Sequence, residues 1–160
     1  MKPQNNLVRM IELADESFHM QDDPEQIQVN AHVLERLKKI HPATLAEKST
    51  RNGPVAWTMV IPTSQRLMQL FIGHKITERE MFRRTRVGQI YDAAYLSSAL
   101  VLPEYRRRGI ALRLVVRSLR SIRREHPIRA LFFWPFSGAG EKLAEAVASQ
   151  LRLPLYKRSK

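Results

Sequence analysis

Arg106-Arg107-Arg108-Gly109-Ile110-Ala111 is a run whose residue types and spacing suit it to hold a phosphate. It falls where an apolar, strand-like stretch gives way to an amphipathic, helix-like one, so the loop ends at a helix N-terminus. The first N–H groups there have no intrahelical acceptor and the helix dipole is positive, which makes such a turn an anion site. Gly109 lets the backbone approach an anion with no Cβ in the way. Ala111 keeps the first helical turn thin, and Arg106, Arg107 and Arg108 add charge and forked donors. The functional reading is a pyrophosphate cradle; the alternative is a solvated helix entrance with Gly109 as an ordinary turn residue. A dinucleotide fingerprint fits less well, because only one glycine is present.

The elements that must position this loop follow from periodicity. Upstream, Tyr91, Tyr95, Leu96, Leu100 and Val101 among small residues predict a long strand from Ile90 to Leu102, buried on both faces and ended by Pro103. Downstream, Leu112, Val115, Val116, Leu119 and Ile122 lie on one broad side of a helix and Arg113, Arg117, Arg120 and Arg124 on another, with Pro127 as its stop. Ala130 to Trp134 then reads as a short strand, Glu141 to Leu151 as a helix, and Leu155 to Lys160 as at most a short edge strand. Nearer the N-terminus, Leu7, Met10, Ile11, Ala14 and Phe18 recur at helical spacing. Pro24 followed by Ile27, Val33, Leu34, Leu37 and Ile40 predicts a second helix that Pro42 ends. Asn52-Gly53-Pro54 is a turn, Val55 to Ile61 a strand, and Leu67 to Ile72 its antiparallel neighbour through a turn at Pro62 to Gln65. Thr77 and Glu80 form a capping-box pattern that predicts a short helix from Glu78 to Arg86, with Gly88 as its stop.

The composition bounds the partners. The 160 residues are 44% hydrophobic, enough for one packed domain. With no cysteine, disulfides, thiolate metal sites and a cysteine nucleophile are excluded. Neither an apolar signal-peptide core nor a membrane-length apolar run is present, so the expected location is cytoplasmic. Lys and Arg number 27 against 15 Asp and Glu, a formal charge of +12 that favours anionic partners: CoA phosphates, an acidic acyl carrier protein or nucleic acid.

The loop and its surroundings resemble the GNAT superfamily of acetyl-CoA-dependent N-acetyltransferases. That family carries an Arg/Gln-x-x-Gly-x-Gly/Ala motif, matched here by Arg106, Gly109 and Ala111. The preceding Leu100-Val101-Leu102-Pro103-Glu104-Tyr105 looks like the family's strand end, whose backbone pairs with the pantetheine arm of CoA. More weakly, the resemblance runs from Val55 to the C-terminus. It implies one GNAT-like domain over residues 1–160, with a helical N-terminal region (1–50) and a core (54–160). The implied fold is mixed α/β, with a central, mainly antiparallel sheet flanked by helices and splayed between the strands ending near Val101 and Trp134. Acetyl-CoA or another acyl-CoA is the implied co-substrate, with no metal, and the implied reaction is direct attack of an amine on the thioester. Leu100, Val101, Leu102, residues 106–111 and Ser137 are the implied cofactor contacts. The chain departs from the family in an inserted helix before the central strand and in having no clear first strand before its N-terminal helices. Ala144 also stands about where many members have a tyrosine that protonates the departing sulfur.

Candidates for the remaining chemistry are Asp92, at the start of the central strand, as a base, and Tyr156 as a replacement acid. Each has a plainer reading, Asp92 as a solvated or capping residue and Tyr156 as an edge residue. Glu104 reads as a turn or cap residue, and Ser137 as the N-cap of the next helix beside its implied role. Phe132, Phe133, Trp134 and Phe136 can bracket a ligand or fill the core. The histidines show no paired metal-ligand spacing; His74 alone lies next to an expected site edge. Alternatives to acetyl transfer are an N-acyl synthase fed by acyl carrier protein or long acyl-CoA, a non-catalytic acyl-CoA-binding domain, and a basic nucleic-acid-binding module built on Arg113, Arg117, Arg120 and Arg124. The acceptor is a small-molecule or peptide amine, and a homodimer is an open expectation.

Overall fold

The computed structural model describes residues 5–20 and 25–159. Two helices come first, α1 (Asn6–Met20) and α2 (Ala31–Ile40), followed by the hairpin of β1 (Leu45–Thr50) and β2 (Gly53–Thr63). Then come α3 (Gln65–Ile72), α4 (Glu78–Arg84), β3 (Ala93–Val101), a 3-10 turn at Pro103–Tyr105, α5 (Ile110–Arg123), β4 (Ala130–Phe133), α6 (Gly138–Leu151) and β5 (Leu155–Lys157). The strands lie in the order β1-β2-β3-β4-β5. The expected mixed α/β sheet is present, and its pairings divide evenly: β1-β2-β3 antiparallel, β3-β4-β5 parallel. Among the described residues no helix is long and apolar enough to cross a membrane.

Residues 67–72 are helical, which corrects the expected strand. Ser64 is the reason: its hydroxyl accepts from Leu67 N at 3.1 Å, capping α3, while β2 continues through Pro62 to Thr63. Met68 and Phe71 then fall on one helix face and are buried. The hairpin partner of β2 lies on its other side, in β1. Its polar sequence, Leu-Ala-Glu-Lys-Ser-Thr, suits an edge strand with one face in solvent. The second helix also starts later than expected, at Ala31, because Asn30 accepts from Val33 N at 2.9 Å; Pro24 lies outside the described residues. Both halves of the capping box at Thr77 and Glu80 form. The central strand begins at Ala93 rather than at Ile90, which is exposed.

The core packs around the middle strands. Phe71, Tyr95 and Phe132 form an aromatic cluster, with Tyr95 and Phe132 stacked at 5.0 Å between centroids and Phe71 edge-on to Tyr95 at 5.3 Å. Trp134 packs edge-on against Phe71 at 6.0 Å, and the buried Arg158 guanidinium lies 4.3 Å from the Phe71 ring and 4.7 Å from that of Trp134. Phe132, Phe133 and Trp134 are therefore core aromatics; only Phe136, further along, is well exposed.

Candidate functional site

The loop from Arg106 to Gly109 is built of alternating backbone hands. Arg106 is extended, Arg107 has φ 64°, and Gly109, the residue before α5, has φ 75° and ψ 12°. Consecutive N–H groups turn inward in such a loop and make an anion-binding concavity. From Arg107 through Leu112 no backbone N–H donates to a backbone carbonyl of the described residues; the first to do so is Arg113 N, to Gly109 O at 3.0 Å. A left-handed conformation costs an arginine about 1–2 kcal/mol. Burial of Ile110 and Leu114 against Ala56 anchors the start of α5. At roughly 1.5–3 kcal/mol for each such side chain, that burial outweighs the strain.

The side chains around this loop are disposed unequally. Arg106 folds back, donating Nε to Val101 O at 2.9 Å, and Arg113 donates to Arg108 O at 3.1 Å. Arg108 covers the Tyr105 ring at 5.2 Å. Arg107 is exposed, and so is Glu104, whose two oxygens accept from the Arg9 guanidinium at 2.5 and 2.8 Å, tying α1 to the loop. Those hydrogen bonds from Arg9 hold the Glu104 carboxyl down at about 2.

Beside the loop the sheet opens. β3 pairs with β4 only from Ala93 to Tyr95, opposite Ala130 to Phe132. Immediately beyond, the register with β2 slips: Val60 faces Leu96 and Met59 faces Ser98, so Ser97 is an extra residue. A bulge bends its strand, and this one falls where β3 parts from β4. From Leu96 to Val101 one edge of β3 therefore has no neighbouring strand, and burial falls from complete to partial at the same point.

At the apex of the opening lies a small cavity of about 30 Å³, lined by Ile27, Met59, Glu78, Ser97, Ser98 and Phe136, with Gln26 and Val29 nearby. Glu78 is only 6% exposed. Its Oε1 accepts from Ile27 N at 2.7 Å, and the buried Tyr95 hydroxyl donates to Oε2. Burial, reinforced by the carboxylate, pushes the Tyr95 hydroxyl well above the usual tyrosine range, so Tyr95 remains the donor of this pair. Sequence reasoning missed Glu78. In sequence it is an ordinary first-turn acid, and its partners lie 51 and 17 residues away.

The other expected residues are scattered. Asp92 precedes β3 at the end remote from the loop, about 30 Å from Val101 at strand rise. Its carboxylate accepts from Gln65 N at 2.7 Å and Gln65 Nε2 at 3.2 Å, which corrects the candidate base to a cap on α3. Tyr156 lies on β5 opposite Phe132, 45% exposed and separated from β3 by β4, so it is an edge residue. Ser137 accepts from Gly140 N at 3.1 Å as the cap of α6, and Ala144 is buried on that helix. Leu100 and Val101 pair with Trp57 and Ala56, while Leu102 packs on Met10 and Val55. His74 bonds Ser159 Oγ at 3.0 Å and is not part of the loop.

His41, distant in the sequence, comes together with the adjacent Glu125 and His126, their ligand-type atoms within 4.8 Å of one another. Ala43 N donates to His41 Nδ1 at 3.0 Å and Tyr91 N to His126 Nδ1 at 3.3 Å. Each neutral ring therefore carries its proton on Nε2, and a metal would need that nitrogen's lone pair. The cluster suits a histidine pair held beside a carboxylate rather than a metal ion.

No family model matches the chain, and no curated protein does. The solved structures similar to it include acetyltransferases. Among them are Naa20 of Chaetomium thermophilum in complex with a bisubstrate analogue (17% identity over 62% of this chain, TM-score 0.40) and an aminoglycoside acetyltransferase from an uncultured soil metagenomic sample in complex with trehalose (12% over 90%, TM-score 0.47). A third is the aminoglycoside N-acetyltransferase AAC(6')-Iy in complex with CoA (15% over 76%, TM-score 0.42). The similarity spans 46%, 78% and 87% of those chains respectively, less than half of Naa20.

Proposed function

We propose that this chain is an acyl-CoA-dependent N-acyltransferase of the GNAT type, moving an acyl group from a thioester to an amine. The observation that carries the reading is a single juxtaposition. An anion cradle of unsatisfied N–H groups at residues 107–112 adjoins a strand edge that a bulge at Ser97 has freed from its neighbour. In this reading the cradle and its arginines hold the pyrophosphate. The free edge of β3, residues 96–101, offers N–H and C=O groups to the amides of the pantetheine arm as a further strand would. Ser97 and Ser98 leave room for the thioester, and the small cavity suits a short acyl group such as acetyl.

Glu78 takes the proton. The acceptor enters as an ammonium ion and passes one proton to the Glu78 carboxylate. The freed nitrogen lone pair forms the C–N bond at the thioester carbonyl. The C–S bond then breaks with its electrons on sulfur, and the second nitrogen proton leaves as the amide forms, ending on sulfur or in solvent. Tyr95 and Ile27 N orient the carboxylate. The acceptor is a small-molecule or peptide amine, and a cytoplasmic location belongs to the same proposal.

The test is calorimetric titration of the wild type and Gly109→Trp with CoA, acetyl-CoA and longer acyl-CoAs. Binding to the wild type that the substitution abolishes supports the reading and justifies a screen of amines. A folded wild type that binds none of them overturns it.

A further inference from the structure

We infer that the groove along α5 is a docking surface for an acidic α-helix of another protein. The groove encloses about 660 Å³ and is lined by Arg113, Arg117, Arg120 and Arg124, with Lys48 of β1 and Gln150 of α6. Among the described residues no carboxylate lines it. Among the described residues, none pairs with Arg117, Arg120 or Arg124. Like charges three or four residues apart destabilise a helix. Arg113/Arg117, Arg117/Arg120 and Arg120/Arg124 are all such pairs, so the fold carries this row at a cost that an anionic partner would relieve.

The spacing selects the partner. At helical rise the four arginines stand about 6, 4.5 and 6 Å apart along the axis. Glutamates at i, i+4, i+7 and i+11 of a second helix repeat that alternation, whereas the even ladder of a phosphate backbone does not. Ile110, Leu114 and Val116 form the buried floor of the groove, so the recognition rests on its charged rim. Among the described residues no aromatic side chain lines the groove to stack a base. Its near end, Ile110 and Arg113, adjoins the anion cradle at residues 107–112, while Arg117, Arg120 and Arg124 lie further along the helix, so the partner's main charge contacts fall beyond the cradle. The inference stands independently of acyl transfer.

Fluorescence anisotropy tests it with a labelled, alanine-rich peptide of about 20 residues, long enough to be helical, carrying glutamates at the four ladder positions. A scrambled peptide of the same composition and a single-stranded DNA of similar length serve as comparisons. The ladder peptide should bind roughly tenfold tighter than the scrambled one. The combined substitution of Arg117→Gln, Arg120→Gln and Arg124→Gln should remove that difference. CoA titration and the melting curve, followed in parallel, should show the variant folded and its cradle unaffected. Equal binding of the two peptides, a preference retained by the variant, or tighter binding of the DNA would each overturn the inference.

Discussion

Replacing Arg107 by glycine sets stability against ligand binding at the loop. Arg107 has φ 64°, a conformation that costs a side-chain-bearing residue about 1–2 kcal/mol and glycine almost nothing. Glycine loses more backbone entropy on folding, about 0.5–1 kcal/mol, so the net expectation is a gain of roughly 0.5–1 kcal/mol. For a chain of this size each kcal/mol moves the melting temperature by about 2–4 °C, and Arg107→Gly should melt about 1–4 °C higher. The same change removes an exposed guanidinium from the cradle, a loss of roughly 1 kcal/mol or about fivefold in CoA affinity. Arg152 is the control. It has φ 56° at the C-terminal end of α6, so Arg152→Gly should give the same thermal gain with no change in CoA binding. Scanning calorimetry and CoA titration read the two axes separately. A lower melting temperature for Arg107→Gly would refute the strain argument, and unchanged CoA affinity would remove Arg107 from the cradle.

Glu78→Gln should fold and bind CoA but lose nearly all of kcat for amine acylation near neutral pH; a kcat equal to that of the wild type would exclude Glu78 as the base. Tyr95→Phe strips a donor from the buried Glu78 Oε2 and should destabilise by about 1–3 kcal/mol, measured by urea unfolding; an unchanged midpoint would mean the bond contributes nothing. Glu104 has its pKa lowered from 4.5 to about 2 by Arg9, so its contribution is present above the unfolded value and lost as pH falls toward 2. Wild type should lose more stability over that interval than Arg9→Gln, and parallel acid curves would contradict the pairing. His126 is pushed below 6.5, first by burial and then by His41, so it stabilises above the unfolded pKa and destabilises as pH falls through the folded one. Melting temperature against pH should therefore fall less steeply below about 6.5 in His126→Asn than in wild type.

Legibility in the sequence followed the range of the interactions. The capping box at Thr77 and Glu80 and the arginine face of α5 depend on neighbours within a turn or two, and both were readable. Residues 67–72 were not. A short apolar run fits a buried strand or a helix equally by periodicity, and the deciding hydrogen bond comes from Ser64. β1 was hidden by its polar exposed face. The strand-to-helix junction at residues 106–111 was readable because Pro103, Gly109 and the apolar patterns on either side are local signals. The bulge at Ser97 depends on a neighbouring strand's register, and the burial of Glu78 on segments far away in the chain. Asp92 was overvalued for the converse reason, since an acid at a strand end looks the same whether it faces a substrate or caps a helix.

Placement of Glu78 also bears on the alanine at position 144, where the resemblance implies a proton donor for the departing sulfur. A thiol ionises near 8.5, so a thiolate is a tolerable leaving group at neutral pH, and the nitrogen it leaves behind sheds a proton as the amide forms. An alkylammonium ion, by contrast, ionises near 10.4 and cannot attack until it has lost a proton. Of the two proton transfers, removal from the amine is the one without which nothing happens. The described structure offers a buried carboxylate for it at the apex of the opened sheet. Loss of the acid should slow acyl transfer without abolishing it. Ala144→Tyr gives the quantitative check. If departure of sulfur limits the rate, the new hydroxyl should raise kcat; if amine deprotonation limits it, Ala144→Tyr should leave kcat unchanged, while Glu78→Gln should lose nearly all of it. A rate that survives in Glu78→Gln but depends on position 144 would invert this order and move the essential chemistry to α6.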